Sequence, residues 1–237
     1  MEIDKLIANY KPDQIVIDVL NKCRIVFLAG IMSAGKDALQ NELLKLPEYQ
    51  AIVTHTTRLP RINNGLLEKD NIDYHFISQD QMKKLLIDKK MIEVNHFGNN
   101  FYGTNIEEFS DASAHDKIAI GDIDIHGIAA MHDIAPNNVT AIFVVPPDYE
   151  TWIQRVGKRY GSLDAFNIEW QNRREITINE IEYALNAEYY HFVINDDLNA
   201  TVSEINEIVN HHGFYNENDN RARLCAKKLL DEIRLAL

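Results

Sequence analysis

The run Gly30-Ile31-Met32-Ser33-Ala34-Gly35-Lys36-Asp37 has the spacing G-x-x-x-x-G-K, follows an apolar stretch and opens a helical pattern. In that context its chemistry is phosphate binding. The glycines let main-chain N–H groups curl around a phosphate, the helix dipole favours the anion, and Lys36 adds a point charge. The eighth position departs from the motif: a Ser or Thr hydroxyl normally reaches Mg²⁺ there, whereas Asp37 offers a carboxylate. Two charges ~4 Å apart interact by about 4 kcal/mol at an effective dielectric near 20. An uncompensated Asp37 therefore opposes a nucleotide, and with Mg²⁺ present the sign reverses, because hard oxygen ligands suit that cation.

Two further basic groupings point to phosphate. Arg58 and Arg61 lie three apart in Thr56-Thr57-Arg58-Leu59-Pro60-Arg61, and planar guanidinium forks suit bidentate phosphate recognition. Residues 151–174 hold Arg155, Lys158, Arg159, Arg173 and Arg174 against Asp164 and Glu169 alone. A basic patch on helices in an acidic chain is what a clamp on transferring phosphoryl groups needs.

The elements that must position these residues alternate. Ile25 to Ala29 reads as a strand buried on both faces, stopped by Gly30, and a helix follows from Lys36 to Leu46, closed by Pro47. Strands are expected over 51–54, 74–77, 118–120, 141–145 and 192–194, and Ser78 caps a helix running to about Lys89. Asn63-Asn64-Gly65 marks a turn, and Gly98-Asn99-Asn100 joins 91–97 to 101–104 as a hairpin. Long helical patterns cover 148–160 and 163–189. The alternation predicts an α/β fold, a parallel sheet with helices on both faces, with about 55–105 inserted as a small mixed part. Residues 1–23 read as a short amphipathic helix or tail, 211–220 as a linker and 221–237 as a terminal helix with a solvated charged face.

Composition narrows the class. The 237 residues carry 24 Lys and Arg against 36 Asp and Glu, a net charge of −12, which excludes a general nucleic-acid coat. Cys23 and Cys225 cannot build a disulfide framework, which fits a reducing, cytoplasmic setting. No basic region precedes an apolar run at the N-terminus, and the longest apolar stretch is far short of a membrane span. A homo-oligomer is left open.

The chain resembles the guanylate kinase family. The resemblance rests on the phosphate loop and on motifs in the family's order: Thr56-Thr57-Arg58-Leu59-Pro60-Arg61, Asp73-Tyr74-His75-Phe76, Ile92-Glu93, Gly98 to Thr104, Asp122 to Gly127, Pro146-Pro147 and Val193 to Leu198. It covers about residues 23–210, with a short insertion around 66–72. It implies a phosphate-loop core over 24–210, a GMP-binding part near 55–105 and a lid near 151–174, flanked by extensions 1–23 and 211–237.

By position, the resemblance places Arg58, Arg61, Tyr74 and Tyr102 on the GMP phosphate. Glu93 is the acceptor for guanine N1–H and the exocyclic amine, with Thr54, Thr104 and Asp124 as further base contacts. Gly30 through Asp37 hold ATP, with Asn195 on its adenine side. Lys36, Arg155, Arg159 and Arg173 stabilise the transferring group, and Asp37 and Asp122 hold Mg²⁺. The implied activity is ATP-dependent phosphorylation of GMP, and with it dGMP. Two alternatives stand beside it: a catalytically impaired nucleotide-binding or scaffold module, and a kinase of another small phosphate acceptor. The resemblance is imperfect at Met32-Ser33, at Lys158-Arg159-Tyr160-Gly161 and at His126, which replaces a Gln.

Overall fold

The computed structural model describes residues 2–63, 66–160, 163–211 and 217–236. In chain order the helices are α1 (Glu2–Ala8), α2 (Gln14–Leu20), α3 (Lys36–Leu43), α4 (Gln79–Ile87), α5 (Ile106–Ala114), α6 (Ile125–Ile134), α7 (Tyr149–Tyr160), α8 (Leu163–Asn186), α9 (Leu198–Asn210) and α10 (Glu217–Leu235). The strands are β1 (Arg24–Ala29), β2 (Tyr49–Ala51), β3 (His55–Thr56), β4 (Ile62–Asn63), β5 (Leu66–Leu67), β6 (His75–Phe76), β7 (Met91–Phe97), β8 (Asn100–Asn105), β9 (Ile118–Gly121), β10 (Val139–Val145) and β11 (Tyr190–Ile194). The chain divides into two compact units: Met1–Ile25, Glu48–Gly121 and His126–Val139 form the first, and Val26–Pro47, Asp122–Ile125 and Thr140–Leu237 the second.

In the second unit β1, β10 and β11 lie in the order β11-β10-β1, and β10 pairs with β11 in parallel. Val26, Phe27, Leu28 and Ile142 through Val145 are fully buried, as strands covered on both faces must be. The α/β class with a parallel sheet flanked by helices holds. The terminal helix starts at Glu217, earlier than expected, and is no appendage. It packs on α8 and β11, burying Ala222, Ala226, Leu229 and Ile233, and its buried Asp219 accepts the Phe192 N–H at 2.8 Å.

In the first unit β2 pairs with β9 in parallel, and a four-stranded sheet runs in the order β6-β3-β8-β7. The hairpin at Gly98 forms as the spacing predicts, and Ser78 and Gln81 close a reciprocal capping box on α4. β4 and β5 pair antiparallel around the expected turn, of which Asn64 and Gly65 lie outside the described residues, as does Gly161 in the lid.

Three expectations are corrected. Of the strand predicted over 51–54 only Ala51 lies in a strand: β2 ends there, 52–54 are a crossing, and β3 begins at His55 in the other sheet. Glu108 takes the Val53 N–H at 3.0 Å in the crossing between them. The helix after the phosphate loop stops at Leu43 rather than Leu46. Where one short amphipathic helix or a tail is expected over 1–23, the described residues hold two helices, α1 packed on α4 and α2 on α5. Helices α5, α6 and α9 were not foreseen; α5 is set by the Asn105 cap and the buried Ile106, Phe109 and Ala112.

Candidate active site

The phosphate loop joins β1 to α3. Gly30 (φ 143°) and Gly35 (φ 99°) are left-handed, and a Cβ would drive Gly30 into the Val144 carbonyl and Gly35 into the Asn195 side chain. Ser33 also takes a left-handed φ of 59°, unusual outside glycine, and its hydroxyl is buried without a protein partner. Lys36 folds back onto the loop, its Nζ donating to the Gly30 carbonyl at 2.7 Å.

Three side chains distant in sequence hold this loop. Asn195 is buried and its Nδ2 donates to the Ala34 carbonyl at 2.9 Å. Arg155 donates to the Asn195 carbonyl at 2.9 Å and the Ala34 carbonyl at 3.4 Å. The indole N–H of the fully buried Trp152 donates to the Met32 carbonyl at 2.9 Å. Trp152 escapes sequence reading, because a tryptophan in an amphipathic helix looks like core.

Carboxylates collect beside Lys36. Asp122, just past β9, keeps an exposed side chain, yet protein crowds it and the shortage of water pushes its carboxyl up to about 6; Lys36 opposes the shift, and Asp37 and Asp124 add to it. Glu180 of α8, which no motif marks, is pushed up to about 7 by burial; Lys36 and Arg173 oppose the shift, and the like charges of Asp122 and Asp124 add to it. Of the two neighbouring arginines, Arg173 acts electrostatically on Glu180, while Arg174 turns to the Arg234 carbonyl of α10 at 2.9 Å. Arg159 is exposed and opposes the Asp122 shift.

This donor set fits Mg²⁺. That cation takes one or two carboxylates and completes its octahedron with water and substrate phosphate, so a dedicated cage is unnecessary. Asp122 and Asp37 are oxygen donors close enough for the charge of Asp37 to raise the Asp122 carboxyl, the repulsion a cation between them would relieve.

The other predicted residues, except Asp124, lie in the first unit; Asp124 follows Asp122 in the second. On the β7–β8 hairpin, Glu93 Oε1 accepts the Thr104 hydroxyl at 2.9 Å and Oε2 accepts Asn95 Nδ2 at 2.7 Å. Tyr74 and Tyr102 meet edge to face at 6.1 Å, and the Arg58 guanidinium stands 5.2 Å from the Tyr74 ring centroid. Thr54 offers its carbonyl to the His75 N–H at 2.9 Å; the His75 ring bridges Glu108 and Asn71.

Glu68 ties the two arginines together. Its side chain is 5% exposed and takes Arg58 Nη1 at 2.7 Å, Arg58 Nη2 at 3.1 Å, Arg61 Nε at 3.3 Å and the Arg61 N–H at 3.0 Å. Desolvation pushes its carboxyl up, but the bonds from Arg58 and Arg61 outweigh it and hold the group below the usual carboxylate range. Glu68 lies in the insertion that broke the motif spacing; an acid between two phosphate-type arginines and Asp73-Tyr74 is the signal that could have found it.

A phosphate loop between a buried parallel strand and a helix, with an acid just past another parallel strand, defines a P-loop nucleotide-binding α/β protein. The guanylate kinase family model matches residues 22–212. Guanylate kinase of Schizosaccharomyces pombe is 31% identical over 190 residues, covering 79% of this chain and 90% of that protein. Guanylate kinase of Rickettsia prowazekii is 32% identical over 191 residues, covering 80% and 91%. The crystal structure of guanylate kinase from Anaplasma phagocytophilum superimposes with a TM-score of 0.59 at 22% identity, covering 83% of this chain and 89% of that one, and so supports the fold. The chain belongs to the guanylate kinase family.

Proposed function

We propose that this chain transfers the γ-phosphoryl group of ATP to GMP, and to dGMP, forming ADP and the nucleoside diphosphate. A phosphate oxygen of GMP bonds to the γ-phosphorus while the bond to the β,γ-bridging oxygen breaks, and that oxygen leaves with ADP. No covalent enzyme intermediate is required, so the protein's work is positioning and charge stabilisation.

The observation that supports this reading most is the combination, in one chain, of an intact Gly35-Lys36 loop with Glu93 arranged as a double acceptor. Guanine presents N1–H and the exocyclic amine side by side, and one carboxylate accepts both. Adenine lacks that pair, leaving the carboxylate unpaired, which costs heavily in a desolvated site. Thr54 and Thr104 complete base recognition in this reading, and Arg58, Arg61, Tyr74 and Tyr102 hold the acceptor phosphate.

Gly30 to Gly35 cradle the donor phosphates, and Lys36, Arg159 and Arg173 meet the charge that develops in transfer. Arg155 and Asn195 act by bracing the loop, as their contacts with Ala34 favour. Asp122 and Asp37 would hold Mg²⁺, which when bound neutralises phosphate charge.

The test is a coupled ADP-release assay with ATP, Mg²⁺ and GMP, AMP, CMP or UMP in turn. ADP release with GMP alone, lost in Lys36→Ala with the fold intact, is the expected result. Tight GMP binding without turnover would make the chain a catalytically silent nucleotide-binding module. No response to GMP would overturn the assignment of Glu93.

A further inference from the structure

We propose that the N-terminal segment Glu2–Lys11, which precedes the family match at residue 22, positions the purine-reading carboxylate, with Tyr10 pinning the strand that carries Glu93. The proposal rests on the reading of Glu93 given above.

The pairing of β7 with β8 is irregular where Glu93 begins. Met91 faces Asn105 and Glu93 faces Thr104, so β7 carries one extra residue, Ile92, in a bulge. Bulges re-aim side chains and disrupt the ladder locally. Strand side chains alternate between faces, so a one-residue slip would turn Glu93 from the Thr104 side to the opposite one.

Tyr10 sits at that irregularity. Its hydroxyl donates to the Met91 carbonyl, two residues before Glu93. Burial pushes the phenol up to about 12, so it remains a donor throughout the working pH range. Lys89, just before the strand, donates to the Lys11 carbonyl at 3.1 Å and stands 4.7 Å from the Tyr10 ring centroid.

The rest of α1 covers the back of the same hairpin. Ile3 is buried in a cluster with Met82, Leu86, Met91, Val94 and Phe101, and Leu6, Ile7 and Tyr10 pack against it. Asp4 pairs with His96 at 2.8 Å. One face of β7 and β8 thus offers Glu93, Asn95 and Thr104 to each other, while Met91, Val94 and Phe101 are held by α1 and α4. A positioning role for Tyr10 follows: it satisfies the carbonyl at the bulge and keeps Glu93 in register.

The test is Tyr10→Phe in the full chain. Loss of one hydrogen bond predicts a rise of about fivefold in KM for GMP. KM for ATP and kcat should stay within about twofold. IMP, which lacks the exocyclic amine, should lose less than GMP, narrowing the GMP-to-IMP preference. Amide hydrogen exchange over 91–95 should speed up selectively. Lys89→Met, which removes a second tie, should move the same quantities in the same direction should Tyr10→Phe fold poorly.

Unchanged KM for GMP and unchanged exchange at 91–95, in an active wild type, overturn the positioning role. A fall in kcat or melting temperature alone marks Tyr10 as structural and also overturns it. Wild-type protein that ignores GMP sinks the functional reading instead, and the exchange measurement then decides whether Tyr10 pins the bulge.

Discussion

Replacing Glu68 by Gln keeps the volume and one acceptor oxygen but removes the charge that joins Arg58 to Arg61. Arg58 is 13% exposed and Glu68 5%, so their pair is poorly solvated, whereas Arg61 at 57% contributes little. Breaking a buried pair costs roughly 3–5 kcal/mol, and the retained amide oxygen recovers part of it, leaving about 2–3 kcal/mol by the worth of charge-assisted hydrogen bonds. For a chain of this size that is a melting-temperature loss of about 5–10 °C. The pH dependence carries a sign. Glu68 has a lowered pKa in the fold, so its stabilisation is present above the unfolded glutamate range and is lost as pH falls through the folded value. The gap between wild type and Glu68→Gln should therefore be full at pH 7 and close on acidification, when both side chains are neutral. For GMP two effects compete: removing an anion beside the arginines gains about 4 kcal/mol at an effective dielectric near 20, the value suited to so poorly solvated a group, and freeing the Arg58 fork costs about 2 kcal/mol of side-chain entropy on binding. The first wins, and KM for GMP should fall at constant KM for ATP. Thermal melts across pH 4–8 and the coupled assay read both quantities. A stability gap that is the same at every pH would show that packing, not charge, makes Glu68 matter, and a rise in KM for GMP would show that the hold of Glu68 on Arg58 outweighs its charge.

Three other outcomes are expected. Trp152→Phe removes the donor to the Met32 carbonyl and should cost about 1–3 kcal/mol of stability. It should raise KM for ATP while sparing KM for GMP, and equal effects on both would mean the phosphate loop does not depend on that bond. Asp122, pushed up to about 6, should make activity fall as pH drops through that value, because a protonated carboxyl makes a poor cation ligand. For Asp122 the linkage runs opposite to Glu68: its contribution is full below the unfolded carboxylate range and lost as pH rises through about 6. Asp122→Asn should therefore be inactive yet melt higher than wild type at pH 7.5 without Mg²⁺, with no difference at pH 4; a lower melt at pH 7.5 would contradict the crowding assigned to Asp122.

What could be read from residue order was local. Gly30 and Gly35 announce left-handed backbone, Ser78 and Gln81 announce a helix start, and Gly98 announces a hairpin; each of these sits within a few residues of its consequence. The run Ile25–Ala29 declares a strand covered on both faces, because no half-exposed strand tolerates five apolar residues in succession. Glu93 was legible only in the company of other motifs, since a lone strand carboxylate is ordinarily a solvated one.

Tertiary structure decided which side chains those local pieces meet. Trp152 reaches Met32 across 120 positions and Tyr10 reaches Met91 across 81, and nothing in a single sequence ranks one such partner above another. Arg173 and Arg174 are equivalent as letters, yet a helix turns consecutive residues about 100° apart, so one faces Glu180 and the other the Arg234 carbonyl. The strand expected over 51–54 is given up after Ala51, where the Val53 N–H goes to Glu108, 55 residues on, rather than to a sheet neighbour. Backbone conformation responds to the residue and its neighbours, and so it is written along the chain. Pairing of charges, donors and apolar faces depends on distance in space, which the sequence specifies only through the fold as a whole.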